Sequence, residues 1–346
     1  MYSDKYIPAR PWRKTEAPKR ILAIRLQAMG DLVITLPYLQ ALKKTLPPGT
    51  KIDLLTRKEV ESIPKNIVLF NKVYSIGGKR NYYKQIIAAA LLFPKVFFNR
   101  YDVVLDLQNN HISRFYRKWL FPKAWSQFDK TSTRSAGERT ALTVAAAGFT
   151  VTQPFSRFTF VQQENARLLL LQNGWDGISE LVILNPAGAF TTRNWPDQNY
   201  IDFAKLWLQH HPQTQFICIG VNLISTKADL FKNHLGNNFI NLVNKTTPFE
   251  AFAIIQQVKF VLTEDSGLMH MAWVSGVYTL ALFGSTRSDW SRPLGPHSLL
   301  LSSDDLACGN CLLETCKFND NHCLTRYTPE FIFGKAKELM GENLHK

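Results

Sequence analysis

The chain reads as an α/β protein of two tandem Rossmann-like domains, with parallel sheets facing a central cleft. Three observations predict this. Short apolar runs alternate with stretches of helical periodicity, the mark of βαβ units. The alternation pauses at "NGWDGISEL" (173–181), where Gly and polar residues cluster. The length of 346 residues, with 45% hydrophobic content, is enough for two cores and favours two domains over one.

Each element follows from its pattern. "RILAIRL" (20–26) is a buried strand, and "DLVITLPYLQALKKTLP" (31–47) then has apolar residues at helical spacing until Pro47-Pro48-Gly49 stops it. "KIDLLTR" (51–57) and "NKVYSIG" (71–77) are further strands, "NYYKQIIAAALLFPKVFFNR" (81–100) is an apolar helix, and "YDVVLDLQ" (101–108) is a strand ending in polar residues. The pattern then restarts. "RFTFVQQENARLLLLQNGW" (157–175) holds a helix with a Gly-containing exit, "ELVILNPAG" (180–188) is a strand and turn, and "NYIDFAKLWLQHHP" (199–212) is an amphipathic helix. "TQFICIG" (214–220) and "NFINLVN" (238–244) are strands, and "PFEAFAIIQQV" (248–258) is a helix. "KFVLTEDSG" (259–267) is a strand and loop, "LMHMAWVSG" (268–276) a short helix, and "YTLALFG" (278–284) a strand. The expected organisation is a flexible basic tail over 1–19, a Rossmann-like domain over 20–175, a second Rossmann-like domain with the Cys cluster over 176–330 and a C-terminal helix over 331–346.

No apolar run reaches the roughly 18 residues of a membrane span. The longest, 86–98, is interrupted by Pro94 and Lys95. The first 20 residues are basic, carry three prolines and lack the apolar core of a secretory signal, so a cytoplasmic protein is expected. Charge is unevenly placed: residues 1–172 hold 28 Lys+Arg against 11 Asp+Glu, a net +17, and residues 173–346 hold 13 against 16, a net −3. The first half is thus suited to a polyanion, whether nucleic acid, an anionic membrane surface or a phosphorylated glycolipid.

Three constellations carry chemistry. In "AMGDLVITLP" (28–37), Gly30 offers a turn and Asp31 opens a helix, as a helix cap or as a general base facing the cleft. In "NPAGAFTTRNWP" (185–196), a strand gives way to small and hydroxyl residues that let backbone approach a phosphate. Arg193 then presents a fork of donors, and Trp195-Pro196 anchor the turn before the next helix. In "TEDSGLMHMA" (263–272), Ser266-Gly267 begin a helix whose N-terminus suits an anion, with His270 on its first turn. "ALFGSTRSDW" (281–290) adds a second phosphate-side loop through Gly284 and Ser285.

In this order and spacing, "MGDLVITLP", "NPAG…R-x-W-P" and "DSGLMHMA…LFGST" resemble the lipopolysaccharide heptosyltransferases, glycosyltransferase family 9, from about residue 20 to residue 328. The resemblance implies the GT-B fold and an inverting glycosyltransferase. Its reaction moves a sugar, heptose from ADP-heptose, onto a lipopolysaccharide core or related glycolipid. It implies that Asp31 is the catalytic base, with Gly30 beside it on the acceptor side. It implies that Arg193, lysine in many members, holds the donor diphosphate with Thr191 and Thr192 in its loop. Asp265, Ser266, Gly267, Leu268 and His270 would lie against the donor phosphates and nucleoside. Asp106 and Gln108 match a D-x-Q near the acceptor. The segment 221–231 does not align with the acidic ribose contact of some members, which leaves the base preference open.

Inversion requires a base that takes the acceptor hydroxyl proton and positive groups that hold the departing diphosphate. Asp31 suits the first task. Arg193 and the helix start at Ser266-Gly267 suit the second, and closure of the cleft would bring them together. Arg114 and Arg117, among aromatics in "DLQNNHISRFYRKWLF" (106–121), suit an anionic lipid surface or a solvated helix face. The expected partners are therefore a nucleotide-sugar donor, an anionic glycolipid acceptor and the inner-leaflet membrane surface, with no nucleic acid and no cofactor required for catalysis. Cys218 reads as a core residue. Cys308, Cys311, Cys316 and Cys323, spaced C-x2-C-x4-C-x6-C, read as a structural zinc site, an iron–sulfur site or a metal-free thiol cluster. Rival functions are a relative using another nucleotide-sugar, a nucleic-acid-binding zinc protein and an inactive scaffold.

Overall fold

A computed structural model describes residues 7–151 and 157–342 of the chain. They form two compact units, divided between Val161 and Gln162. The boundary falls ahead of the expected one at 175, because the helix Gln163–Gln172 packs on a helix of the second unit rather than on the first sheet.

The first unit is built on strands β1 (Ala9–Arg10), β2 (Arg20–Ile24), β3 (Lys51–Arg57), β4 (Lys72–Ile76), β5 (Val103–Asp106) and β6 (Ala124–Gln127). Their order is β1-β6-β5-β2-β3-β4, parallel except for β1. Helices α1 (Met29–Thr45), α2 (Tyr82–Phe97), α3 (His111–Trp119) and α4 (Ala136–Ala146) connect and cover them. From residue 7 the N-terminal segment is docked, in contrast to the flexible tail expected over 1–19. Ala9 and Arg10 pair with Ser126 and Trp125, and the Trp12 N–H donates to the Ala147 carbonyl at 2.8 Å. Residues 1–6 lie outside the described residues.

The second unit comprises α5 (Gln163–Gln172), β7 (Glu180–Asn185), α6 (Asp197–His210), β8 (Thr214–Gly220), α7 (Ser225–Leu235) and β9 (Phe239–Val243). It continues through α8 (Pro248–Ile255), β10 (Phe260–Glu264), α9 (Gly267–Val274), β11 (Tyr278–Leu282), β12 (Ser298–Leu301) and α10 (Pro329–Met340). Its six strands are all parallel, in the order β12-β11-β10-β7-β8-β9. A core of fully buried aromatics, among them Trp195, Trp207, Phe203 and Phe260, sits between this sheet and α6, and Cys218 is buried in it as expected. The C-terminal helix starts two residues before the expected 331 and packs on α6; residues 343–346 lie outside the description.

Strand order reverses once in each sheet: between β2 and β5 in the first, and between β7 and β10 in the second. At such a switch point the loops leaving adjacent strands diverge, and the carboxyl ends open a crevice where ligands of α/β sheets bind. The segments around Asp31, Asp106, Arg193 and Ser266 leave these four strands.

Candidate active site

At the first switch point, β2 leads through residues 25–28 into α1. Gly30 is the second residue of that helix and is not among the positive-φ glycines, so the expected turn is made before it. Asp31 stands at the third helical position, not at the cap. One of its oxygens accepts the Ala28 N–H at 2.9 Å, and the other meets Arg25 Nη2 at 2.8 Å. Asp31 thus closes the first turn and still keeps 39% of its side chain exposed, whereas Arg25 keeps only 5%. Arg25 lies over the Phe128 ring at 5.0 Å and donates to the Leu107 carbonyl. Burial pulls its pKa below the ordinary value, opposed by the charge of Asp31.

Asp106 and Gln108 shape this loop from β5. Gln108 Oε1 accepts the N–H groups of Leu26 and Gln27 at 2.9 and 3.0 Å. Asp106 is fully buried, accepts the N–H of Asn109 at 2.7 Å, and pairs with Arg117 Nε at 3.2 Å. Arg117 is itself buried against Trp125 and donates to Gln127 Oε1 at 2.6 Å. Asp106 and Arg117 spend their charges on each other, so Arg117, expected on an anionic lipid surface or a solvated helix face, is instead turned inward. They hold the frame, and only Arg114 of that set is exposed. Beside the Asp31 loop lies a cavity of about 630 Å³, lined by residues 26–29, Val60, the ion pair of Arg57 with Glu59 at 3.2 Å, and the basic residues Lys79 and Arg80. An anionic group fits a basic wall of this kind.

At the second switch point, the loop after β7 carries Thr191, Thr192 and Arg193. Arg193 Nη1 lies 3.4 Å from Asp265 Oδ2, its guanidinium sits 4.9 Å from the Phe190 ring, and its buried Nε has no hydrogen-bond partner. Ser266 caps α9, with its Oγ accepting the Met269 N–H at 3.4 Å and the Asn185 amide at 2.7 Å. Gly267 is exposed at the helix start, with open space where a Cβ would stand, and Leu268 is half-buried behind it. His270 is buried, and its Nδ1 accepts Trp273 Nε1–H at 3.2 Å. Thr192 and Ser285 share a hydroxyl contact of 2.9 Å, and a Cβ at Gly284 would stand 2.0 Å from the Thr192 carbonyl, so the two loops touch only because position 284 is glycine.

Two residues that sequence reasoning missed hold this loop. Glu264, fully buried, accepts the N–H of Gly188 at 2.6 Å and of Trp195 at 2.7 Å. Burial pushes its carboxyl up to about 7, and nearby Lys227 and the two amides pull against that. Lys227, inside the segment that did not align, donates to Asn194 Oδ1 at 2.7 Å and pairs with Asp197 at 3.3 Å. An acid at a strand end and a lysine three residues into a helix were the available signals.

Cys308, Cys311, Cys316 and Cys323 line one cavity of about 250 Å³ together with His322. Cys308 Sγ lies 3.2 Å from His322 Nε2. Burial, and then the neighbouring thiols, push Cys323 above its ordinary pKa. Among the described residues, no three His, Cys, Asp or Glu side chains stand close enough together to hold a metal ion. The same segment braces the Arg193 loop: Thr191 and Thr192 hydroxyls donate to the Glu314 and Leu313 carbonyls at 2.9 and 2.5 Å.

Residues 134–322 match the profile of glycosyltransferase family 9 (heptosyltransferase). Lipooligosaccharide heptosyltransferase 2 of Campylobacter jejuni is 29% identical over 181 residues, 51% of this chain and 54% of that protein, so the chain spans about half the length of that relative. A glycosyl transferase family 9 structure from Veillonella parvula superposes with a TM-score of 0.76 at 18% identity, covering 94% of this chain and 98% of that one. The E. coli ADP-heptose LPS heptosyltransferase II structure gives 0.69 at 17% identity, covering 93% and 99%. These likenesses show the fold: the two α/β units are those of GT-B.

Proposed function

The chain belongs to glycosyltransferase family 9, and from that membership we propose that it is an inverting transferase moving heptose from ADP-heptose onto a lipopolysaccharide core or related glycolipid. The observation that carries this reading is the pair of switch points. The first presents a half-exposed carboxylate, oriented by Arg25, beside a basic cavity. The second presents Arg193 with an unpartnered donor next to a serine-capped helix start. The first set suits deprotonation of an acceptor hydroxyl by Asp31, with Lys79 and Arg80 beside the anionic acceptor. The second suits charge-assisted hydrogen bonds to a departing diphosphate. ADP-heptose is the donor in the name of the E. coli neighbour, which supports the choice of base and sugar. The proposed location is the cytoplasmic face of the inner membrane. The account needs no cofactor in the transfer.

The test is thermal stabilisation by ADP, GDP, UDP, dTDP and ADP-heptose, since a ligand of the folded state raises the melting temperature by mass action. Selective stabilisation by ADP and ADP-heptose is expected. Preference for another nucleotide would move the donor to a different sugar, and no response to any would remove the transferase reading.

For the cysteine-lined cavity the proposal is a structural Zn²⁺ held by Cys308, Cys311, Cys316 and Cys323. The sulfur donor set and the shared cavity favour such an ion; among the described residues no three such side chains gather around one point, so the thiols would have to converge on the metal as it binds. The ion would fasten the segment that braces Thr191 and Thr192, and it would take no part in the transfer.

A further inference from the structure

Helix α2 is apolar nearly all round, yet one side of it is uncovered. Ala89 and Val96 face the core, and the opposite stripe carries Tyr83, Ile87, Leu91 and Phe98, which are 77%, 60%, 78% and 78% exposed. A helix apolar on every side is normally buried in protein or lipid. Helix α3 extends the same surface, with Trp119 56% exposed and Phe121, just beyond its end, 72% exposed. The two helices are joined by successive ring contacts. Phe97–Phe93, Phe93–Phe115, Phe115–Trp119 and Trp119–Phe121 have centroids 5.7, 4.9, 6.3 and 6.3 Å apart. Between the helices, Ile86, Ala90, Ile112 and Phe115 line an apolar cavity of about 240 Å³. A contiguous apolar surface of this kind marks an interaction site.

Charge identifies the partner. From Lys79 to Phe121 the sequence holds eight Lys or Arg and two acids, Asp102 and Asp106. Asp106 is buried on Arg117, and Asp102 is bound by Lys123 at 2.6 Å and by the Lys19 amide at 2.9 Å. Lys84, Lys95, Arg100, Arg114 and Lys118 are exposed among the aromatics. Apolar and aromatic side chains ringed by cations suit the interface of an anionic bilayer, where rings sink to headgroup depth and cations meet lipid phosphates. Against a second copy of the same face, the cations would repel each other.

We propose that the outer faces of α2 and α3 dock the protein on an anionic lipid surface. The inference deepens the glycolipid-acceptor reading by naming the surface that brings the enzyme to its lipid-borne acceptor. Lys79 and Arg80, on the wall of the cavity beside the Asp31 loop, lead directly into α2. The membrane-facing helix and the acceptor wall are therefore consecutive in the chain.

The test is co-sedimentation of the full chain with vesicles of phosphatidylethanolamine and phosphatidylglycerol in equal parts, and with phosphatidylcholine vesicles. Binding to the anionic vesicles only, weakening as salt shortens the reach of the charges, is expected. The triple variant Tyr83→Ser, Leu91→Ser, Phe98→Ser changes only exposed positions and should lose at least about tenfold in vesicle affinity, since each exposed side chain contributes separately. The double variant Lys84→Gln, Lys95→Gln should lose about fivefold per charge removed. ADP-induced thermal stabilisation should be unchanged in both. Absence of wild-type binding, equal binding by the triple variant, or a salt-insensitive dimer that the triple variant abolishes would each overturn the proposal. The nucleotide response is read on the same samples, so failure of the lipid surface is distinguished from failure of the transferase reading.

Discussion

Each sheet places one decisive acid near its switch point, and the two are used in opposite ways. Asp31 in the first unit is half-exposed, tied to one guanidinium and one amide of its own turn. Glu264 in the second is fully buried, tied to two amides of a neighbouring loop. The carboxylate in the first turn of the helix after β2 is open to a ligand, whereas the one at the end of β10, like its counterpart Asp106 at the end of β5, is sealed into the scaffold. Burial and partner count, not residue type, separate a reactive carboxylate from a structural one.

Substitutions can break this contrast. The largest effect is expected at Asp31: Asn keeps the size but cannot take a proton, so turnover should fall by about 10²–10⁴, while loss of the charge that faces buried Arg25 also lowers the melting temperature. Full turnover in Asp31→Asn would remove it as the base. At Glu264 the expected order of effects is reversed. Gln would turn an NH₂ towards at least one backbone N–H, costing roughly 1–3 kcal/mol of stability. The pH dependence sharpens the point. The folded carboxyl sits at about 7 against an ordinary 4.5, so the folded state keeps a proton that the unfolded chain has lost. This contribution to stability is present below 4.5 and is lost as pH rises towards 7. Denaturation of wild type across that window should show stability falling with pH, and Glu264→Gln should lack that slope. An unchanged slope would mean that another group titrates there. The smallest effect is expected at the cysteines. A zinc chelator should lower the melting temperature by several degrees and loosen the Arg193 loop through Thr191 and Thr192. Metal content far below one equivalent per chain, measured on protein purified without chelator, would exclude the zinc proposal.

Much of this architecture could be read in the residues, because period and punctuation are local signals. The strands ending at Asn185 and Glu264 and the helix start at Ser266-Gly267 fall within the runs that the pattern marks, and the first strand stops at Ile24, two residues short of its run. The short strands Ala124–Gln127, one in from an edge, and Ser298–Leu301, at an edge, carry too few residues to show a period. The site was legible where a side chain faces outwards and hidden where it faces a distant partner. Arg25 sits in an apolar run and gives no hint that it will reach Asp31. Asp106 and Arg117, eleven residues apart, looked like two separate polar contacts until the fold paired them. Glu264 was overshadowed by its neighbour Asp265, because nothing local shows which of two adjacent acids turns into the core. The outward face of α2 was invisible for the converse reason: apolar periodicity marks a helix but cannot say how much of it the rest of the protein covers.

The division of labour between the two switch points is tested most directly by titrating ADP-heptose and adenosine calorimetrically into wild type, Asp31→Asn and Arg193→Ala. The account predicts wild-type ADP-heptose affinity in Asp31→Asn. In Arg193→Ala it predicts a loss of about ten- to a hundredfold for ADP-heptose, the scale of charge-assisted hydrogen bonds, with adenosine binding unaltered. Equal weakening of ADP-heptose and adenosine in Arg193→Ala, or loss of donor binding in Asp31→Asn, would contradict it.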